Sequence, residues 1–233
     1  MPTTTEILVD DVTGRQRQWP IKSLTSYTTK EAEGSLDAMP AKPTLQDFIT
    51  HRFLLAQHLL YAADWAMKQK LPEPIILACL LHDIGHSVAR PDHAYWSAQL
   101  VRPYVSEHVV WVIENHQSCR FFADEANGYK GPPEFYKVYF GENYKPDAFT
   151  EATYKAARNH KWYMGARLVT MADQETPEPK ALYVGDAKHR HLTPDELTDI
   201  IGRNFKQPRE GLGNDGSPVA HMWRTIINPT RML

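Results

Sequence analysis

The sequence predicts an all-α protein with an extended N-terminal arm and a helical C-terminal extension. Three observations carry that expectation. From Leu45 onward, apolar residues recur at three- and four-residue spacing, the period of a helix face. Prolines and capping residues punctuate the chain at Thr44, Pro72, Asp92 and Thr193-Pro194. The hairpin-like pattern is confined to the arm, where Glu6–Val9 and Gln16 to Ile21 flank a turn-forming Asp10-Asp11-Val12-Thr13-Gly14.

Each element follows in order. Residues 1–43 read as the arm and a possible lid, ending in a polar loop with Gly34, Pro40 and Pro43. Thr44 with Asp47 resembles a capping box opening a helix from Leu45 to Lys70. That helix places Phe48, His51, Leu55, His58, Leu59 and Ala62 on one stripe, and Pro72 ends it. Pro74 to His86 is nearly all apolar and therefore reads as a central, buried helix. Asp92 caps a third helix running to about Tyr104. Ser106 to His116 is a fourth. Phe121 to Pro146, rich in Gly and Pro, reads as irregular with a short helix at Glu134 to Tyr139. Asp147 to Gln174 reads as one long helix, bent near Asn159. Thr193-Pro194-Asp195-Glu196 starts a last helix reaching about Phe205. Residues 44–175 form the expected core, and 176–233 the extension packed on it.

Composition narrows the class of function. The chain has 233 residues with 26 basic and 28 acidic side chains, so no basic excess points to nucleic acid or an anionic membrane. Its apolar runs are too short to span a bilayer, and the N-terminus lacks a secretory pattern. Cys79 and Cys119 cannot build a disulfide scaffold, so a reducing cytoplasm is expected. Eleven histidines make metal ligation worth testing.

The chemistry concentrates at Leu80-Leu81-His82-Asp83-Ile84-Gly85-His86. A carboxylate at the end of a buried apolar helix is costly unless something compensates its charge. An isolated His-Asp pair would read as a satisfied histidine beside a capping acid. The surroundings point elsewhere. His58 lies on the inward stripe of the preceding helix, His93 opens the next, His116 closes the fourth, and Asp173 ends an apolar run in the long helix. Six nitrogen and oxygen donors without a thiolate suit borderline or hard divalent ions such as Fe, Mn, Co or Zn.

Over residues 45–175 the pattern His58, His82-Asp83, His93, His116, Asp173 resembles the HD-domain superfamily. The resemblance implies an HD-domain helical bundle holding two metals. Asp83 would bridge them, with His58, His82 and Asp173 on one and His93 and His116 on the other. Most such proteins are phosphohydrolases. A smaller branch comprises the mixed-valent diiron oxygenases, including myo-inositol oxygenase and the organophosphonate-cleaving oxygenases. Three stretches are similar to that branch: His82 to His86, His93 to Pro103, and His116 to Phe122. They imply two Fe ions as an Fe(II)/Fe(III) pair, O2 binding beside His86, and Arg120 gripping a small anionic substrate where the phosphonate enzymes use Lys. The alternative is a phosphohydrolase loaded with Mn, Co, Fe or Zn and acting on a nucleotide or phosphomonoester. The Tyr and Glu that close over the phosphonate site are not matched by Phe48 and His51, so Tyr27 and Glu31 in the arm are the candidates for a lid.

The remaining polar residues have plainer readings. His51 is expected in the core, His108 in a structural turn, and His160 in solvent or behind the site. His189 and His191 read as a solvated loop. Arg167 is expected to pair at the surface, and Trp96, Trp111, Trp162, Tyr163, Phe135, Tyr136 and Tyr139 as core or lid packing.

Overall fold

The computed structural model describes residues 6–9, 16–19, 39–40, 42–53, 55–86, 88–132, 136, 141–175 and 192–206. Strands β1 (Glu6–Val9) and β2 (Gln16–Trp19) pair antiparallel, with Glu6 opposite Trp19 and Val9 opposite Gln16. All other regular structure among the described residues is helical: α1 (Leu45–His51), α2 (Ala56–Lys68), α3 (Glu73–Leu81), α4 (His93–Val101), α5 (Glu107–Cys119), α6 (Ala148–Arg158), α7 (Tyr163–Glu175) and α8 (Thr198–Asn204), with short 3-10 turns between some of them. Among the described residues the fold is all-α apart from this strand pair.

Local chemistry explains the boundaries. Thr44 and Asp47 form a complete capping box on α1. The helix expected to run to Lys70 instead breaks between His51 and Ala56. Phe48 and Phe53 are both buried, with ring centroids 5.9 Å apart. Five residues on, a continuous helix would turn Phe53 about 140° from Phe48. The break lets both rings enter the core, and the N–H groups of Arg52 and Phe53 both donate to the Phe48 carbonyl. Helix α2 closes with Lys70 in the left-handed region (φ 55°), the Lys70 N–H donating to Met67 O and the Leu71 N–H to Ala66 O. That is a Schellman turn built without glycine.

Helix α3 is buried along its whole length from Ile75 to Leu81 and ends earlier than the sequence suggests. Adjacent helical residues point about 100° apart. The C-cap His82 keeps helical dihedrals, yet its Nε2 comes within 3.6 Å of Asp83 Oδ1. Asp92 occupies the N-cap of α4 but makes no capping hydrogen bond through its side chain, because a 3-10 turn (Arg90–Asp92) leads directly into the helix. Ser106 caps α5 by accepting from the Val109 N–H, and the helix continues past His116 to Cys119. The described residues from Phe121 to Pro132 are irregular, with a 3-10 turn at Glu125–Asn127, and the short helix expected at Glu134 to Tyr139 lies outside the described residues except for Tyr136. The long helix expected over 147–174 is divided. Asp147 caps α6, and the Trp162 N–H is captured by His160 Nδ1 at 3.2 Å, which interrupts the helical ladder before α7.

Helices α3 and α7 pack on each other and on both α2 and α5, α4 and α6 lie against α5, and α8 lies against α3. The ring of Tyr104 stacks on Phe205 at 4.9 Å, and the Lys206 N–H donates to Tyr104 O, tying the last described segment to the bundle. Gly85 marks the tightest crossing near the site. A Cβ there would lie 2.5 Å from the Ser97 backbone nitrogen and 2.9 Å from His93 O, so α4 rests directly on the His82–His86 turn.

Candidate metal centre

Five elements bring the six predicted donors together. His58 stands in the first turn of α2, His82 and Asp83 follow α3, His93 begins α4, His116 is in the last turn of α5, and Asp173 is in the last turn of α7. All are buried except His58, whose side chain is 16% exposed. They fall into two sets, His58-His82-Asp83-Asp173 and Asp83-His93-His116, each with donor atoms within 4.8 Å of one another. Asp83 belongs to both.

In the first set, His58 Nε2 lies 3.2 Å from Asp173 Oδ1, 3.5 Å from Asp83 Oδ2 and 3.2 Å from His82 Nε2. In the second, Asp83 Oδ1 lies 3.2 Å from His93 Nε2 and 3.7 Å from His116 Nε2. Three imidazoles are anchored from behind by a backbone carbonyl three residues earlier. Nδ1 of His82 meets Cys79 O at 2.8 Å, Nδ1 of His93 meets Arg90 O at 2.9 Å, and Nδ1 of His116 meets Ile113 O at 2.6 Å. A carbonyl only accepts, so each Nδ1 donates to it and each ring turns its Nε2 inward. That is the orientation a ligating histidine requires.

The electrostatics agree. Burial alone would raise the pKa values of Asp83 and Asp173. The surrounding imidazoles, and for Asp173 the guanidinium of Arg120, overcome it and hold both carboxyls well below the ordinary range. His58 is opposed by burial, yet Asp173 and Asp83 hold its pKa up at about 9. Burial pushes His116 down to about 4. Asp83 Oδ1, His93 Nε2 and His116 Nε2 are all buried without a hydrogen bond among the described residues. Each such atom costs about 1–3 kcal/mol if nothing compensates it. A cation among them removes that cost, and the nitrogen and oxygen donors fit a divalent ion. The thiols do not compete: burial pushes Cys79 up strongly and Cys119 to about 11.

The other predicted site residues divide. His86 lies beside the second set, its ring 5.6 Å from that of His93, and burial pushes its pKa down to about 4. Arg120 reaches the site, but one arm is already engaged: Nη2 lies 3.0 Å from Asp173 Oδ2, and its Cζ sits 5.0 Å above the Tyr136 ring. Tyr27 and Glu31 lie outside the described residues, as do His189, His191, Phe135 and Tyr139. Arg167 corrects the surface expectation. It is fully buried, donating to Cys119 O at 2.7 Å, Phe122 O at 3.0 Å and Tyr163 OH. Packing of α7 against the end of α5 covers it, which helical spacing alone does not reveal. His160 stacks on Trp111 at 4.1 Å, away from the six donors.

Sequence reasoning missed the supports of Arg120. The Tyr129 hydroxyl donates to Arg120 O at 2.6 Å, Gln174 donates to that hydroxyl, and Arg167 lies 4.2 Å above the Tyr129 ring. Tyr163 OH donates to Asp124 Oδ2 at 2.5 Å. These contacts join an irregular loop to a helix far along the chain, so no local pattern signals them.

A helical bundle whose His and Asp donors converge in two sets on one shared carboxylate defines an all-α domain with donors that could hold metal ions. Residues 50–121 match the family model of the HD domain, a span that includes His58, His82, Asp83, His93, His116 and Arg120 but ends before Asp173. No curated protein matches the chain. No described helix is long and apolar enough to cross a membrane.

Proposed function

We propose that this chain is a non-haem diiron oxygenase that uses O2 to cleave a C–P or C–C bond of a small hydroxylated anion, such as a hydroxyphosphonate. The observation that carries a dinuclear reading is the sharing of Asp83 between the two donor sets. His58, His82 and Asp173 would hold one iron, His93 and His116 the other, and Asp83 both. A bound Fe(II)/Fe(III) pair would supply dioxygen activation and a Lewis-acidic seat for substrate oxygens.

The protein's own groups would orient and select. Two carboxylates would face one divalent and one trivalent ion and the Arg120 guanidinium, so the loaded site would carry net positive charge and favour an anion. The edge of Arg120 not held by Asp173 would anchor it. His86 is neutral near pH 7, so it would offer a hydrogen bond at the rim without adding charge. The buried apolar run Ile75–Leu81 of α3 would exclude water behind His82 and Asp83.

One observation favours a second reading, a phosphohydrolase. The donor set contains no thiolate and accepts redox-inert ions equally well. Metal analysis and EPR on anaerobically purified protein separate the two. Two irons per chain and a mixed-valent signal perturbed by a hydroxyphosphonate or polyol support the oxygenase. Zn- or Mn-loaded protein releasing phosphate from phosphomonoesters without oxygen would replace that reading with the hydrolase.

A further inference from the structure

We infer that Arg120 is a positioning residue that divides the two oxygens of Asp173, so that Oδ1 alone is presented to the metal donors. Oδ1 lies 3.2 Å from His58 Nε2 and 3.7 Å from His82 Nε2. Oδ2 lies 3.0 Å from Arg120 Nη2. A carboxylate with one oxygen held in an ion pair keeps the other for a single-oxygen contact. A carboxylate free to swing would offer both, and would occupy a coordination position that substrate or water needs.

The pair is braced from both partners. Arg120 follows His116 at the end of α5, and its carbonyl is held by the Tyr129 hydroxyl. The same hydroxyl accepts from Gln174, the neighbour of Asp173. Arg167 fixes the chain on either side of Arg120 through Cys119 O and Phe122 O. The guanidinium is further held over the ring of Tyr136. A planar, stacked cation is fixed in this setting, whereas a lysine at this position would supply charge on a flexible stem.

This inference rests on His58, His82, Asp83 and Asp173 holding a metal, and on nothing about oxygen chemistry. The test therefore uses Co(II) alone, read by its d–d absorption and by chelator competition. Arg120→Gln is expected to bind Co(II) about 10–100-fold more weakly, the range for lost outer partners of metal ligands. Its absorption is expected to fall as the site gains a carboxylate oxygen. Arg120→Lys should recover part of the affinity. Tyr129→Phe keeps the ring but loses both hydrogen bonds, and should shift the spectrum in the same direction by less. In an Asp173→Asn background, Arg120→Gln should have no further effect on affinity or spectrum, whereas a merely structural role would persist there. Wild-type affinity and spectrum in folded Arg120→Gln would overturn the inference. If Arg120→Gln does not fold, an unchanged spectrum in Tyr129→Phe would overturn it. Wild-type protein that binds no Co(II) would overturn the metal reading beneath it, a separate result.

Discussion

Asp83 Oδ1 stands 3.2 Å from His93 Nε2, and neither atom makes a hydrogen bond among the described residues. The Nδ1 of His93 is committed to Arg90 O, which aims Nε2 at the carboxylate. A buried nitrogen and a buried carboxylate oxygen at that distance are donors that one cation would hold together. The local logic of the centre is contained in that pair.

Asp83→Asn is expected to lower metal content in both sets at once, because one carboxylate serves both. Asp173→Asn should affect only the set that contains it. Elemental analysis of the two purified variants checks this. Full metal content in Asp83→Asn would refute a shared ligand.

Divalent metal should stabilise the fold against heat, and a chelator should reverse the gain. Metal that binds the folded chain alone, at a hundred times its Kd, contributes about 2.7 kcal/mol. A thermal melt with and without chelator measures it. An unchanged Tm would argue that the six donors bind no ion strongly.

Gly85→Ala is expected to be disruptive despite its small size. The added Cβ meets backbone atoms of Ser97 and Trp96 and the carbonyl of His93, none of which can rotate aside. Overpacking of this kind costs about 1–3 kcal/mol. Since the strain pushes on the first turn of α4, His93 should move from Asp83 and metal content should fall with stability. Urea unfolding with parallel metal analysis reads both.

Acid should loosen the loop after α5. Burial opposes the ionised form of Asp124, but hydrogen bonds from Tyr163 and Asn127 and the charges of Arg158 and Arg167 hold its pKa below the ordinary carboxylate value. A depressed folded pKa contributes stability that is present above the unfolded carboxylate pKa. That contribution is lost as pH falls through the folded pKa. The urea midpoint of wild type should therefore drop below about pH 4. Asp124→Asn should be less stable at pH 7 and show a flatter acid limb. Parallel acid limbs in the two proteins would show that Asp124 does not carry this dependence.

Much of the fold was legible because its causes are local. Capping at Thr44, Ser106 and Asp147, and the apolar run of α3, act within one or two turns of chain. The breaks at Arg52–Leu55 and Asn159–Trp162 were not legible as full interruptions. They arise where two aromatic rings seek one core and where a histidine side chain captures a backbone N–H. Arg167 illustrates the same limit. Its sequence neighbours permit either a surface or a buried position, and the packing of α7 on α5 buries it.

By itself the sequence determined the helical class, the donor types and their places near helix ends, since periodicity and side-chain chemistry are properties of short segments. Only the tertiary structure decided which atoms meet. It turned three Nε2 atoms inward through carbonyl contacts, made Asp83 common to two donor sets, and tied Arg120 to Asp173 rather than leaving its fork wholly open. Those outcomes depend on where α2, α3, α4, α5 and α7 cross. A crossing is set by the fit of whole buried faces, and no single stretch of sequence encodes it.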